Sequence, residues 1–401
     1  MALNDDWRIP ISIWAMEFSP WKRLFVTAYL LLELEHFDVS SDLYKEAERI
    51  SRELGDQSEA RALRAKTMHQ LGSIELIRGN YDDARRLLND ARRIFAEFSD
   101  EKNLAASMHQ IASIEFLRCN YDEAKRLYKE SLDIELKIGN DFGAARTISQ
   151  LAMIEQNRGN YDEALRLYSG SLKISERIGD LSGLVKVLHQ LGAIQRERGN
   201  YDEAERSYAQ SLGISHKLRD ESGIAATLAE QATIEYLKGD YDGAKKKYHQ
   251  ARRFFGELGD KSGVAKTLHQ LAMIEQAKGN YNVARKLYEE SMIINLELGD
   301  RSAVATTLHQ LGLIAQEKGN YEEAKRAYCQ AKDIYEEIKE QLGIATMLHQ
   351  VGCVMELQGN LKNAEKHYIE ATLIFNRIGA KSHSERARNN LERVQRRIVR
   401  S

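Results

Sequence analysis

The sequence predicts an all-α fold, a right-handed α-solenoid of antiparallel helix pairs, and three observations carry that expectation. Gly-Asn-Tyr or a close variant begins at Gly79, Cys119, Gly159, Gly199, Gly239, Gly279, Gly319 and Gly359, a 40-residue spacing without insertion or deletion. A second turn series, at Gly55, Gly139, Gly179, Gly259 and Gly299 with weaker members Ser99 and Arg219, divides each unit into two segments of about 18 residues. Only two prolines, Pro10 and Pro20, occur in 401 residues, so nothing beyond residue 20 removes a backbone donor from a helix.

Within a unit, each segment has the period of one helix face: Leu184, Val187, Leu188, Leu191 and Ile194 recur at three- and four-residue intervals. At the turn, Gly199 supplies the left-handed residue that ends the first helix. Asn200 then caps the second, with Glu203 completing a capping box, and Gly159, Asn160 and Glu163 repeat the arrangement. Short connections pack the two helices antiparallel. Small residues form one column on the first helix (Gly72, Ala112, Ala152, Gly192, Ala232, Ala272, Gly312, Gly352) and another on the second (Ala84 through Ala364 at the same spacing). At interaxial distances of roughly 8–10 Å, larger side chains there would push the helices apart.

Eight regular units fill residues 60–379, and a degenerate unit precedes them at 20–59, where Phe37 and Tyr44 stand in register with Tyr121 and Tyr128. Residues 380–401 predict a capping helix whose Arg386, Arg393, Arg396, Arg397 and Arg400 form a polar outer face. The alternative for that segment is a basic binding helix. Residues 1–19, with Trp7, Ile9, Ile11, Ile13, Trp14 and Phe18, are too apolar for a free tail. They either fold onto the first repeat or dock a partner or a second copy.

Composition excludes several function classes. With 58 basic and 60 acidic residues the net charge is −2, so no general attraction to nucleic acid or anionic lipid is expected. The longest apolar stretch, Leu24 to Leu32, is too short to span a bilayer. Three cysteines at unrelated spacings imply neither a disulfide framework nor a zinc site. With no secretory leader pattern either, the expectation is a cytoplasmic protein. No glycine-rich phosphate loop, nucleophile elbow or His-Glu-x-x-His helix is present, and the carboxylates recur at surface positions suited to i,i+4 pairing. Neither catalysis nor a cofactor is expected.

The distinctive feature is a ladder on the first helices. One column holds His69, His109, His189, His269, His309 and His349, with Ser149 and Ala229 as exceptions. The next holds Gln70, Gln110, Gln150, Gln190, Gln270, Gln310 and Gln350, with Glu230 as the exception. Lys66, Arg146, Lys186 and Lys266 lie one turn before it, and Gln156, Arg196, Gln276 and Gln316 two turns after. Both ladder residue types donate and accept, so two readings stand: the columns satisfy buried partners between helices, or they bond the main chain of a bound peptide. Zinc would need nitrogens at about 2.0–2.1 Å, which helices roughly 10 Å apart do not bring together.

The small column, the aromatic after the turn and the alanine of the second helix together resemble the tetratricopeptide repeat in its 40-residue form. Segments such as Thr267-Leu268-His269-Gln270-Leu271-Ala272 are similar to those of kinesin light chains and Pins-type spindle adaptors, where asparagines on this helix hold an extended peptide by its main chain. The resemblance implies that the ladder lines a concave groove and that the chain is a non-enzymatic scaffold for a protein or peptide partner. The neighbouring cations suggest a polar or acidic one. It also raises an alternative: a structural or self-assembling subunit, related to the sensor arms of signalling ATPases, with no peptide role. The Lys-to-Asn spacing that clamps chaperone C-termini occurs in no unit, so that ligand is not expected.

Overall fold

The structure is a computed structural model that describes residues 20–33, 36–53, 55 and 57–400. The apolar segment 1–19 lies outside the described residues. The described chain forms nineteen α-helices and no strand. In order these are α1 Pro20–Glu33, α2 Phe37–Glu53, α3 Ser58–Ile77, α4 Tyr81–Glu97, α5 Glu101–Leu117, α6 Tyr121–Lys137, α7 Asp141–Asn157, α8 Tyr161–Ile178, α9 Leu181–Glu197 and α10 Tyr201–Leu218. They continue as α11 Glu221–Lys238, α12 Tyr241–Glu257, α13 Lys261–Ala277, α14 Tyr281–Leu298, α15 Arg301–Glu317, α16 Tyr321–Glu337, α17 Gln341–Leu357, α18 Leu361–Arg377 and α19 Lys381–Arg400. The helices group into two compact units, Met1–Asn200 and Tyr201–Ser401.

In each unit the helices are packed as consecutive antiparallel pairs, the α-solenoid arrangement. In unit 1 the direction is fixed by cross-links between α5 and α6 that run in opposite orders. Ser131 Oγ donates to the Ala105 carbonyl at 2.9 Å, while the hydroxyls of Ser113 and Tyr128 share a bond at 2.9 Å. The same hydroxyl-to-carbonyl link recurs in unit 2 between Ser291 and Ala265 at 2.8 Å. The predicted alanine column of the second helices is buried, and beside it stands a buried column that the sequence reading did not single out: Tyr128, Tyr168, Tyr208, Tyr248, Tyr288, Tyr328 and Tyr368. In unit 2, a methyl group placed on Gly312 would lie 2.4 Å from the Tyr328 ring, so this ring packs directly onto the glycine backbone.

The turns work differently from the predicted capping box. Gly159 and Gly199 do adopt φ of 77° and 78°. Asn160, however, makes no side-chain cap on α8. Its amide donates backwards to Glu155 Oε2 at 2.8 Å, and Asn200 does the same to Gln195 Oε1 at 2.8 Å. Glu163 and Glu203, the intended box partners, instead accept from Arg166 and Arg206. Side-chain caps occur mainly at the other turn. Asp180 and Asp260, for example, accept from the N–H of Gly183 and Gly263 at 2.9 Å.

The reason the Asn faces backwards is a buried carboxylate. Glu115, Glu155 and Glu275 are almost fully buried near the ends of α5, α7 and α13. Each also meets a cation from the preceding second helix: Arg85 at 3.0 Å, Lys125 at 2.5 Å and Lys245 at 2.6 Å. Asn and cation together satisfy a charge that would otherwise be costly to bury. These carboxylates are therefore not the solvated surface groups that sequence spacing suggests. Where the column holds Ala315 instead, the preceding cation Arg285 turns to Glu323 at 2.6 Å.

Candidate functional site

First helices of successive pairs touch one another, and the histidine column sits in that contact. His69 Nδ1 lies 2.9 Å from Ser107 Oγ, His109 Nδ1 2.9 Å from Thr147 Oγ1, and His269 Nδ1 3.4 Å from Thr307 Oγ1. Ser107 and Thr307 already donate their single hydroxyl hydrogens to the carbonyls of Asn103 and Ala303. They must therefore accept from the histidine Nδ1–H, which fixes the tautomer and leaves Nε2 as the acceptor.

The partner decides how each histidine is used. In unit 1 the hydroxyl position facing residue 149 is Val187; the ladder residue there is Ser149, bonded instead to Ser171 at 2.8 Å. In unit 2 the position facing His309 is Met347, and His309 Nε2 turns to Gln350 Nε2 at 3.3 Å. His349 Nε2 accepts from Asn390 on α19 at 2.9 Å. Aromatic rings close the other side: His109 meets Tyr128 and His269 meets Tyr288 at centroid distances of 5.1 and 5.0 Å.

Burial in this setting disfavours the imidazolium. His69, His309 and His349 are lowered to about 4 and His109 to about 3, with His269 lowered as well. Desolvation is the main cause throughout, and the Arg146 guanidinium adds repulsion at His69 and His109. These five histidines are neutral at physiological pH. No group of three His, Cys, Asp or Glu suited to a metal ion occurs among the described residues.

The glutamine column behaves differently. Gln70, Gln150, Gln190, Gln270 and Gln310 are half-buried and make no side-chain hydrogen bond among the described residues. Gln110 shares a bond with the Ser73 hydroxyl at 2.9 Å, and Gln350 meets His309. These amides lie on the stripe of the first helices that no other helix covers, which in α3 runs through Lys66, Gln70, Ser73 and Ile77. Lys66, Arg146, Lys186 and Lys266 are exposed on it, and Arg196 is half-buried. Two turns on, Gln276 and Gln316 are engaged from within, accepting from the buried hydroxyls of Tyr288 and Tyr328 at 2.9 and 3.1 Å.

Sequence reasoning missed the Ser and Thr partners of the histidines. They stand 38 residues after each ring, at Ser107, Thr147 and Thr307, and that second column at a fixed offset was the signal that could have found them.

A repeating helix pair with a covered core and an open first-helix stripe defines an α-solenoid repeat protein. Residues 63–136, 143–217, 223–292 and 263–337 match the tetratricopeptide repeat family, and the chain belongs to it. No curated protein matches the chain. Among solved structures it is similar to apo RapI, at 16% identity and a TM-score of 0.64 over 94% of this chain and 99% of that one. It is also similar to a signal transduction ATPase with a tetratricopeptide repeat sensor from Pyrococcus horikoshii, at 18% identity and a TM-score of 0.61, covering 86% of this chain and 55% of that one. A Rap protein complexed with competence and sporulation factor matches at 14% identity and a TM-score of 0.55, over 95% of this chain and 99% of that one. Likeness at these identities concerns the fold. No described helix is long and apolar enough to cross a membrane.

Proposed function

We propose that this protein is a non-enzymatic interaction scaffold that holds an extended polypeptide along the open stripe of its first helices. The glutamine column is the part that bonds the peptide main chain. One observation carries the reading: Gln70, Gln150, Gln190, Gln270 and Gln310 repeat on a solvent-reached stripe, yet none has a hydrogen-bond partner among the described residues. An amide that donates and accepts, repeated at the helix step, matches the alternating N–H and C=O groups of an extended chain. The histidines then act behind them as the packing that fixes the spacing of the first helices. A likeness in fold to a Rap protein complexed with competence and sporulation factor is compatible with this reading.

The test separates binding from packing. With a peptide selected by display against the full chain, the Gln270→Ala, Gln310→Ala double variant is expected to bind about tenfold more weakly, through two lost bonds of roughly 1 kcal/mol each. Its stability should change by less than about 0.5 kcal/mol per site, as for surface positions. Leu271→Ala, in the buried face of the same helix, should cost about 2–5 kcal/mol. If the glutamine pair lowers the unfolding midpoint as much as Leu271→Ala and leaves affinity intact, the groove assignment is wrong.

A further inference from the structure

The open stripe is not the same in the two units, and the difference points to the chemistry of the occupant. On the first helices α3, α5, α7 and α9 of unit 1 it carries Lys66, Lys102, Arg146 and Lys186 against two carboxylates, Glu59 and Glu197. None of these four cations makes an ion pair among the described residues, whereas the turn cations of the same unit are paired, Arg118 with Asp82 and Arg158 with Asp122 at 2.5 Å. On α11, α13, α15 and α17 of unit 2, the corresponding positions hold Lys266 against Glu230 and Glu317.

Arg146 stands close to the ladder of two neighbouring first helices. Its guanidinium acts on His69 as well as on His109, although these belong to α3 and α5 while Arg146 stands on α7. It also faces the buried carboxylate Glu135 on α6, which it stabilises in the charged form.

We infer that the unit 1 stripe takes an acidic extended peptide, with carboxylate side chains meeting Lys66, Arg146 and Lys186 while the glutamines hold the main chain. This rests on the groove reading above and adds the charge and place of the ligand. First helices about 10 Å apart and a chain that advances about 3.3 Å per residue set the register. Arg146 and Lys186, one helix step apart, call for carboxylates about three residues apart; Lys66 and Arg146, two steps apart, call for about six. A single-stranded nucleic acid fits less well: its phosphates are closely and evenly spaced, and these few cations would leave most of them unmatched.

The experiment uses the full chain and three degenerate libraries of about twelve residues, in which the same positions are fixed as Glu, Gln or Lys. The Glu library is expected to be retained about tenfold or more over the Gln library at low salt, with the preference shrinking as salt is raised. A Lys66→Gln, Arg146→Gln, Lys186→Gln variant should lose that preference, while Lys266→Gln keeps it. Equal retention of the Glu and Gln libraries overturns the charge assignment and leaves the groove reading standing. Retention of no library overturns both. A preference that survives the triple variant, or displacement of the Glu library by polyuridylate at lower concentration than by polyglutamate, also overturns the acidic-peptide assignment.

Discussion

Units 1 and 2 are built from the same helix pair but use its open face differently. In both, a buried tyrosine of the second helix packs on a small residue of the first, as Tyr128 does on Ala112 and Tyr328 on Gly312. In both, a neutral histidine reaches a hydroxyl on the next first helix. Yet the stripe beside that repeated frame is cationic in unit 1 and close to balanced in unit 2. The frame is set by steric demands that recur from step to step, which hold the small and tyrosine columns in place even where the hydrogen-bonding columns change, as at Ser149 and Met347. The stripe faces water and is free to vary, which is where a repeat protein can place specificity.

The largest effect tests the sameness of the frame. Tyr128→Ala in unit 1 and Tyr328→Ala in unit 2 each remove a fully buried ring, and each should cost about 3–5 kcal/mol, the range for large aromatic deletions. Denaturant unfolding followed by far-UV circular dichroism checks this. A loss below about 1 kcal/mol in one unit alone would break the equivalence on which the comparison stands.

How much of this was legible in the sequence follows the same division. The 40-residue step, the helix pairs, the small columns and the aromatic after the turn were readable, because each is a steric requirement repeated at fixed spacing. Asn160 was misread: a local cap looked sufficient, but the residue answers to Glu155 and Lys125, and the need for both arises only from burial in the tertiary contact. The histidine ladder was readable as a column and not as a set of bonds, since its partners lie on the next first helix. The unbonded state of Gln150 or Gln270 cannot be read from a sequence at all; it depends on what the neighbouring helix leaves uncovered.

A medium effect sharpens the contrast between stripes through pH. His109 is depressed to about 3 and His309 to about 4, while an unfolded chain takes up protons near the ordinary imidazole value of about 6.5. As the pH falls through that window the unfolded state binds protons that the folded state refuses. Stability is thus fully present above about 6.5 and declines toward the folded value, by about 1.4 kcal/mol per pH unit for each fully coupled ring. Replacing His109 or His309 by Gln should therefore spare about 2 kcal/mol of the loss between pH 6.5 and 5, read from urea midpoints at the two values. Arg146→Gln should raise the His109 imidazole pKa toward its ordinary value in an NMR titration and leave His309 unmoved, because only the unit 1 ring has that cation beside it. A shift of both rings, or of neither, would remove the electrostatic difference between the units.

The smallest effect concerns the turn. In unit 2 the second residue after α13 is Gly279 with φ of 78°, whereas its unit 1 counterpart after α5 is Cys119 with φ of 62°. A side chain in this left-handed region costs roughly 1–2 kcal/mol, because Cβ crowds the following carbonyl. Glycine removes that strain but brings a more flexible unfolded chain, which takes back about 0.4–1 kcal/mol. The Cys119 thiol is exposed and fills no core, so its loss adds little on either side. Cys119→Gly should thus raise stability by about 0.5–1 kcal/mol, and Gly279→Cys should lower it by a similar amount. Both are read as shifts in the urea midpoint under reducing conditions, which keep the thiol from cross-linking. Equal and opposite shifts would show that the turn makes one demand in both units, met fully in one and imperfectly in the other. A neutral result at both positions would mean that the backbone relaxes around the side chain, and that the glycine of the repeat is retained there for some reason other than φ.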